Sequence, residues 1–387
     1  MTKIYLIRHA EAEGNLYRRS QGQFDANVTQ LGRRQIAALA ERFRDIHIDS
    51  LWSSDLNRAK STATAILKYH PDLALHTSRR LREIGMGVWE DRPWGELERL
   101  DRSQMGLFTN DPGRWSVPGG EPLADVTRRI EDMLLELAAS HPGQTLAVVS
   151  HGLAIRSLLC KLMGVPSEKI GTVPYGDNTA VALLTAENGA LAIDWYNDAT
   201  HLPDELSTFA HQGVTRQFGG KKADGWFMPL DLEQEDSLYE HCYSETWLAS
   251  HGSLKGYSPL LYLRNAVLHS QADSQCLVKL MYGEDMAGLI QLDPDRGAED
   301  NAGWISLLWV EPEFRGRRFG VQLLGHAVSY FRRKGRTCLR LHVSQTNERA
   351  VGFYKACGFQ PVATVDGVGG PLYRMELDIA QRLWTLP

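Results

Sequence analysis

The stretch that decides the fold is Lys3-Ile4-Tyr5-Leu6-Ile7-Arg8-His9-Ala10-Glu11. A short unbroken apolar run ending in charged residues reads as a strand covered on both faces, and such strands belong to parallel sheets packed between helices. Working outward, Thr29 is placed to cap a helix in which Ile36, Leu39, Ala40 and Phe43 recur at helical spacing. Leu51–Ser53 reads as a strand and Asn57–Lys68 as a helix. Thr145–Ser150 is another β-branched apolar run, followed by a helix over Gly152–Met163 that Gly164 closes, with Pro166 beyond. Thr179–Thr185 and Ala190–Tyr196 read as two further strands. Strand alternating with helix implies an α/β fold with a doubly wound, mostly parallel sheet, whose ligands sit at the carboxyl ends of its strands.

At ~100 to 200 residues per domain, 387 residues point to two or three domains. Pro203, Gly213, Gly219, Gly220, Lys221 and Lys222 interrupt any periodicity, so a linker is placed at 205–225, between a first domain over 1–204 and a second over 226–387. With 42 Lys and Arg against 47 Asp and Glu, the net charge of -5 offers no drive toward nucleic acid or an anionic membrane. No run of ~18 apolar residues is present, and Met1-Thr2-Lys3 leads straight into the first strand with no cleavage site, so a cytoplasmic location is expected. The five cysteines have no C-x-x-C pair or zinc-like spacing and read as reduced, mostly buried thiols; no metal centre is expected.

Two strand ends carry histidine, in Arg8-His9 and Ser150-His151-Gly152. In a doubly wound sheet the ends of neighbouring central strands lie close together, so the two imidazoles can flank one small ligand. Arg58, in Ser53-Ser54-Asp55-Leu56-Asn57-Arg58-Ala59, opens a helix, where a guanidinium and the helix N-terminus both face an anion. Glu83, in Leu81-Arg82-Glu83-Ile84-Gly85, is placed to act as an acid. Each of these alone is more often a structural histidine, a surface arginine or a solvated carboxylate. Their conjunction is what points to chemistry.

That conjunction resembles the histidine phosphatase (phosphoglycerate mutase-like) superfamily over residues 1–203. Arg8-His9-x-Glu11, Asn15, Gln21-Gly22, Ser54-x-Leu56-x-Arg58-Ala59-x-x-Thr62-Ala63, Leu81-Arg82-Glu83 and Ser150-His151-Gly152 fall in the family's order, with Ala10 where glycine is commoner. The resemblance implies in-line attack by His9 on phosphorus. It also implies that Arg8, Arg58 and His151 hold the phosphoryl oxygens, and that Asn15, Gln21, Gly22 and Gly152 add hydrogen bonds. Glu83 would protonate the leaving oxygen and then deprotonate water. Gly85-Met86-Gly87-Val88-Trp89-Glu90 resembles the phosphatase branch, and Trp94, Met105, Phe108 and Trp115 suggest a partly apolar cap. Arg92, Arg99, Arg102 and Arg114 favour a mutase instead.

In the second half, Ile305–Val310 reads as a strand that Glu311-Pro312-Glu313-Phe314 ends. Arg315-Gly316-Arg317-Arg318-Phe319-Gly320 then opens a helix marked by Val321, Leu324, Val328 and Phe331. A basic, glycine-bearing turn at a helix N-terminus suits a pyrophosphate, although a solvated loop has the same composition. With Asn347-x-x-Ala350-x-x-Phe353-Tyr354-x-x-x-Gly358-Phe359, this run resembles the GNAT N-acetyltransferase superfamily over residues 228–378, which implies an α/β domain with a mixed sheet and acetyl-CoA as cofactor. By the resemblance, the Val310 amide polarises the thioester and Arg315, Gly316, Arg317, Arg318, Phe319 and Gly320 cradle the pyrophosphate. Asn347 holds the pantetheine arm and Tyr354 protonates the departing thiolate. Arg318 stands where the family has glycine, and is expected to keep a helical conformation with its side chain turned away. The general base is open among Glu311, Glu313 and a water chain.

Together these readings lead to a bifunctional enzyme acting on a small-molecule phosphate ester and an amine acceptor. The alternatives are a phosphatase with a non-catalytic CoA-sensing module and a mutase-type phosphotransferase. A magnesium phosphatase built on Asp293-x-Asp295 lacks the downstream threonine. Fusion of two small-molecule sites suggests one metabolite carrying both a phosphate ester and a primary amine.

Overall fold

The computed structural model describes residues 1–211 and 224–387; 212–223, within the stretch read as a linker, lie outside the described residues. The chain packs into two compact units, one of Met1–Arg92, Leu97–Lys222 and Gln381–Pro387, the other of Pro93–Glu96 and Ala223–Ala380. No helix of the described residues is long and apolar enough to cross a membrane. All five cysteines are free thiols, and all but Cys338 are buried.

The first unit holds strands β1 (Thr2–Arg8), β2 (Ser50–Ser54), β3 (Leu75–Ser78), β4 (Thr145–Ser150), β5 (Val181–Glu187) and β6 (Ala190–Asp198), in the order β3-β2-β4-β1-β5-β6. The four strands from β3 to β1 pair in parallel, while β5 and β6 form an antiparallel flank. Ile7, Ala147 and Val149 face a core built with Ile36, Leu39, Phe43, Ala63 and Ile66 from the helices Gln30–Phe43 and Asn57–Leu67. Ile4, Leu6, Leu146 and Val148, also fully buried, point to the opposite face by alternation. Thr29 caps the first of these helices, accepting from the Gly32 N–H at 3.0 Å. Strand β3 escapes the sequence reading because Leu75-His76-Thr77-Ser78 is a half-exposed edge with one aliphatic residue.

Two additions to this unit were not expected. Residues 204–211, the start of the stretch read as linker, form a 3-10 turn (Asp204–Leu206) and a short helix (Thr208–His211). Gln35 Nε2 donates to Leu206 O at 2.8 Å and to Thr208 Oγ1 at 2.9 Å, and Ser207 Oγ donates to Asp177 Oδ2 at 2.5 Å. The second addition is the segment 381–387, read from sequence as part of the second domain. Its alternate amides donate outward, Arg382 to Asn27 Oδ1, Trp384 to Ser61 Oγ and Leu386 to Thr64 Oγ1, at 3.0–3.1 Å. Trp384 and Leu386 pack on the core, with the Arg33 guanidinium 5.5 Å from the Trp384 ring centre.

The second unit contains β7 (Trp226–Pro229), β8 (Leu277–Tyr282), β9 (Asp285–Asp293), β10 (Ala302–Val310), β11 (Cys338–Ser344), β12 (Gln360–Gly367) and β13 (Gly370–Asp378). Their order is β12-β13-β11-β10-β9-β8-β7, a mixed sheet in which β10 and β11 are parallel. The helices Asp236–His251 and Pro259–Ala272 bury Tyr239, Cys242 and Ala266 against Leu277, Leu289, Leu307 and Trp309. The helix Phe319–Arg333 buries Leu323, Leu324, Ala327, Val328 and Phe331. A Cβ at Gly303 would lie 2.2 Å from the Phe331 ring, so only glycine lets this helix seat on β10.

The parallel ladder joins Ala302–Trp304 to Cys338–Arg340, after which β10 and β11 part. On the other edge, the Glu311 N–H donates to Ala287 O at 3.1 Å while Val310 lies opposite Gly288. Hydrogen-bonded pairs alternate in an antiparallel ladder, so the Val310 N–H points away from β9, into the gap.

Replacing Trp384 by alanine removes a half-buried ring from the first unit. The expected cost is roughly 1–2 kcal/mol, or a fall of about 2–8 °C in that unit's melting temperature by calorimetry. An unchanged transition would show that the 381–387 segment adds nothing to this unit.

Candidate active site

Arg8 is the last residue of β1 and pairs in register with Ser150, so the parallel ladder sets His9 beside His151. The His9 N–H donates to Ser150 O at 2.9 Å, and the two ring centres stand 5.1 Å apart. His9 Nδ1–H donates to Ala10 O at 2.7 Å, which leaves the lone pair on Nε2. The loop carrying His9 is tied from several sides. The Ala10 N–H donates to Thr62 Oγ1 at 2.9 Å, the Glu11 N–H to Gln35 Oε1 at 2.7 Å, and Asn178 Nδ2 to His9 O at 2.9 Å.

Arg58 is fully buried near the start of the helix Asn57–Leu67. Its Nη1 donates to Phe24 O at 2.9 Å and its Nη2 to Gly22 O at 2.5 Å. Burial lowers its pKa to about 10 while Glu83, Asp25 and Glu90 oppose the shift, so it stays charged at neutral pH. Arg8 Nη1 donates to Gly176 O at 2.6 Å, and a Phe209 ring stands 5.9 Å from its Cζ. Burial, together with Arg58 and Arg8, holds both histidines well below the usual imidazole range. They are neutral at pH 7.

Four side chains here keep buried nitrogens that find no hydrogen-bond partner among the described residues: Arg8 Nε, Arg58 Nε, Gln21 Nε2 and both ring nitrogens of His151. Buried polar groups are normally paired. Such a set on two guanidiniums, an amide and an imidazole fits an anion with several acceptor oxygens. A Cβ at Gly152 would lie 3.2 Å from Arg8 Nε, which explains the glycine after His151.

Three residues from the sequence reading sit differently. Asn15 Oδ1 accepts from the Ala12 N–H at 3.1 Å and caps the short helix Glu13–Tyr17. The Gly22 N–H donates to Glu90 Oε2 at 3.2 Å, so the contribution of Gly22 is its carbonyl, held to Arg58, rather than its amide. Glu83 lies in the irregular stretch after Leu81, but it is buried and its carboxylate is held by backbone amides rather than solvated. Its Oε1 accepts from Ile84 and Ala154 N–H at 3.0 and 2.9 Å, and its Oε2 from Leu153 N–H at 3.0 Å, at the start of the helix Gly152–Leu162 that follows His151. Of the residues read as an apolar cap, Trp115 is buried and Phe108 half-buried, and with the buried Trp89 they form a cluster with ring centres 5.3–5.8 Å apart. Arg99, Arg102 and Arg114 are exposed.

Sequence reasoning missed two supporting groups. Arg129 donates to Arg80 O, Arg82 O and Glu83 O at 2.6–3.0 Å and pairs with Glu121 at 2.7 Å, fixing the backbone that carries Glu83. Glu90 accepts four backbone N–H groups and is taken up below. Neither charged residue has a local sequence signal that shows which distant backbone groups it holds.

In the second unit, Arg318 does not continue the helix. It takes φ 67°, ψ 14° and precedes Phe319, the first helical residue. The expected helical conformation is therefore wrong: this is the left-handed geometry that glycine adopts freely and that costs an arginine about 1 kcal/mol. Arg315 turns back, its Nε donating to Val310 O at 2.8 Å and its Nη2 lying 3.8 Å from Glu245 Oε2. The Arg317 guanidinium covers the rings of Phe314 and Tyr282 at 5.0 and 5.1 Å. A Cβ at Gly320 would press on Phe353 at 3.0 Å. Asn347 Oδ1 caps the helix Glu348–Ala356 by accepting from Ala350 N–H at 3.1 Å. Tyr354 is buried edge-on to Phe359 at 5.5 Å, and burial raises its hydroxyl pKa, so it stays protonated. The gap beside Val310 and the first-turn amides after Arg318, which no intrahelical carbonyl can satisfy, fit a thioester and a pyrophosphate.

The ends of the parallel strands β1 and β4 thus place two neutral histidines among buried guanidiniums. The family model of the histidine phosphatase superfamily (branch 1) matches residues 4–199, and that of the Acetyltransferase (GNAT) family matches 233–359. The chain belongs to the histidine phosphatase superfamily and carries a GNAT unit behind it. It is 31% identical over 215 residues to Phosphoserine phosphatase 1 of Hydrogenobacter thermophilus, covering 55% of this chain and all of that protein. It is 38% identical over 170 residues to a Yersinia pestis protein named "Probable phosphoglycerate mutase GpmB", covering 43% of this chain and 77% of that one. Among solved structures, Bacillus stearothermophilus YhfR matches with TM-score 0.50 at 27% identity, covering 52% of this chain and 99% of that one.

Folding lowers the proton affinity of His9 and His151, so the unfolded chain binds more protons than the native one around and below pH 6.5. Stability therefore rises with pH there, by up to about 1.4 kcal/mol per unit for each histidine, and falls on acidification. In urea melts, the double variant His9→Gln, His151→Gln is expected to lose less stability between pH 7 and pH 5 than the parent. Equal acid sensitivity would show that these imidazoles are not its source.

Proposed function

We propose that the first unit hydrolyses phosphate monoesters through a phosphohistidine on His9. The observation that carries this reading is the set of unpartnered nitrogens of Arg8, Arg58, Gln21 and His151 around a neutral imidazole whose free lone pair is on Nε2. His9 Nε2 attacks phosphorus and the bond to the leaving oxygen breaks, with Glu83 giving that oxygen a proton. Water then attacks the phosphorus, the P–N bond breaks, and Glu83 takes the water proton. Arg8, Arg58 and His151 hold the phosphoryl oxygens throughout, so these residues supply the charge stabilisation themselves.

The second unit, which ends at Ala380, is read as an acetyltransferase. Acetyl-CoA supplies the activated acyl group. The amides at Gly316–Gly320 would hold its pyrophosphate, the Val310 N–H its thioester oxygen and Asn347 its pantetheine arm, while Tyr354 Oη gives a proton to the departing sulfur. The substrate class we favour for both sites is one compound bearing a phosphate ester and a primary amine. The name of the Hydrogenobacter relative supports it, since phosphoserine carries both groups. A mutase-type phosphotransferase is the second reading, favoured by the Yersinia relative; it would show as phosphoryl transfer to an added alcohol in preference to water.

His9→Ala is expected to lower hydrolysis of p-nitrophenyl phosphate at least 1,000-fold, on the order of a lost covalent nucleophile. The trapped intermediate should be acid-labile and base-stable, as a phosphoramidate is. Turnover retained in this variant, or an acid-stable ester, would sink the mechanism.

Acetyl-CoA at saturation should raise the melting temperature of the second unit by binding the native state alone. Arg318→Gly relieves the left-handed strain, with an expected gain of roughly 1 kcal/mol and an undiminished shift with acetyl-CoA. No shift in either protein refutes the CoA site, and binding without thiol release points to a sensing module.

A further inference from the structure

Glu90 receives four backbone hydrogen bonds on one carboxylate. The N–H groups of Gln23 and Met86 donate to Oε1 at 2.7 and 3.0 Å, and those of Phe24 and Gly22 to Oε2 at 3.0 and 3.2 Å. The turn 22–24 therefore presents its amides to Glu90. Two carbonyls of the same turn, Gly22 O and Phe24 O, receive the two Nη groups of Arg58. One peptide segment is thus pinned between an anion on its amide side and a buried cation on its carbonyl side. A Cβ at Gly22 would lie 2.4–2.5 Å from Ile84 O, Glu90 Oε1 and Met86 Cγ, so the glycine is required for this seating.

We infer that Glu90 is a positioning residue for the phosphoryl site: it holds the turn whose carbonyls fix both Nη groups of Arg58, leaving Nε for the substrate anion. The inference rests on the phosphatase reading of this site. It follows from connectivity. Arg58 is wholly buried and can keep its charge there only where acceptors are already in place. Two isolated carbonyls on a free turn would rotate toward water, whereas four N–H bonds to one carboxylate fix their direction. The resemblance of the Trp89-Glu90 run to the phosphatase branch assigns it no such part.

Glutamine at 90 keeps the shape but turns one acceptor oxygen into an NH2 donor, which must face two of the four N–H groups. Two of the four bonds are then lost, at least one of them from the turn, and donor–donor repulsion is added. The test is a double-mutant cycle of Glu90→Gln and Arg58→Ala, read by kcat/KM on p-nitrophenyl phosphate and by inorganic phosphate binding in calorimetry. Glu90→Gln alone should lower kcat/KM and phosphate affinity 10- to 100-fold. In the Arg58→Ala background it should change neither by more than about two-fold. Glu90→Asp, which keeps both acceptor oxygens on a shorter arm, should fold and recover part of the loss. Equal losses from Glu90→Gln in both backgrounds, or no loss in either, would overturn the inference. Phosphate binding does not need turnover, so absence of hydrolysis in the parent would count against the phosphatase reading while this test still reported on Glu90.

Discussion

The constraint on which the first unit depends is the burial of a guanidinium, that of Arg58, in a protein interior. Removing such a charge from water costs several kcal/mol unless fixed acceptors replace the lost hydration. Backbone carbonyls of Gly22 and Phe24 supply them, and the carboxylates of Glu83, Asp25 and Glu90 favour its charge. Burial nonetheless lowers its pKa to about 10. Burial, with the fields of Arg58 and Arg8 added, keeps both histidines neutral. A neutral imidazole is a nucleophile and an imidazolium is not. In the proposed mechanism, the surroundings that would attract a phosphate thus also keep ready the group that would attack it.

Holding this arrangement accounts for features that otherwise look unrelated. Ala10 replaces the glycine common in the family, yet it is fully buried, with its N–H on Thr62, so the methyl is absorbed by the core rather than by the pocket. Thr62 lies one turn beyond Arg58 and also donates to Arg58 O at 2.7 Å, so a single helical turn serves the nucleophile loop and the cation together. Glu83 is seated by the first amides of the helix that begins after His151, so one helix end orients two site residues.

What could be read from the sequence follows from periodicity and local chemistry. Ile4–Ile7 and Leu146–Val149 are legible because strands buried on both faces must be continuously apolar. Once they are recognised as parallel neighbours, the nearness of His9 and His151 follows. Arg58 is legible only in conjunction with the two histidines and Glu83, because an arginine at a helix start is by itself more often a surface residue. Glu90 is not, because its partners at 22–24 are more than sixty residues away and are amides, which every residue possesses. The same holds for Trp384 and Leu386, whose partners Ser61 and Thr64 are ordinary side chains on a distant helix. Arg318 misled for another reason. Its residue type argues for a helix start with a helical dihedral, while the turn needs the left-handed geometry regardless of which residue fills it.

On the proposed reading, the two units would bind phosphorus-borne oxygens with the same parts in opposite proportion. In the first, side chains dominate: buried guanidinium and imidazole nitrogens have no hydrogen-bond partner among the described residues, which suits a reacting phosphoryl group whose charge must be met as it redistributes. In the second, Arg315 is folded onto Val310 O and Arg317 onto aromatic rings, so recognition falls to backbone amides and the end of a helix dipole. Amides cannot follow a changing charge distribution, but they hold a constant one without desolvating a full cation. That division matches what each site is proposed to do. One must stabilise a phosphorus centre that changes its bonds, and the other has only to grip a pyrophosphate that stays intact while the reaction occurs at a thioester farther along the same molecule.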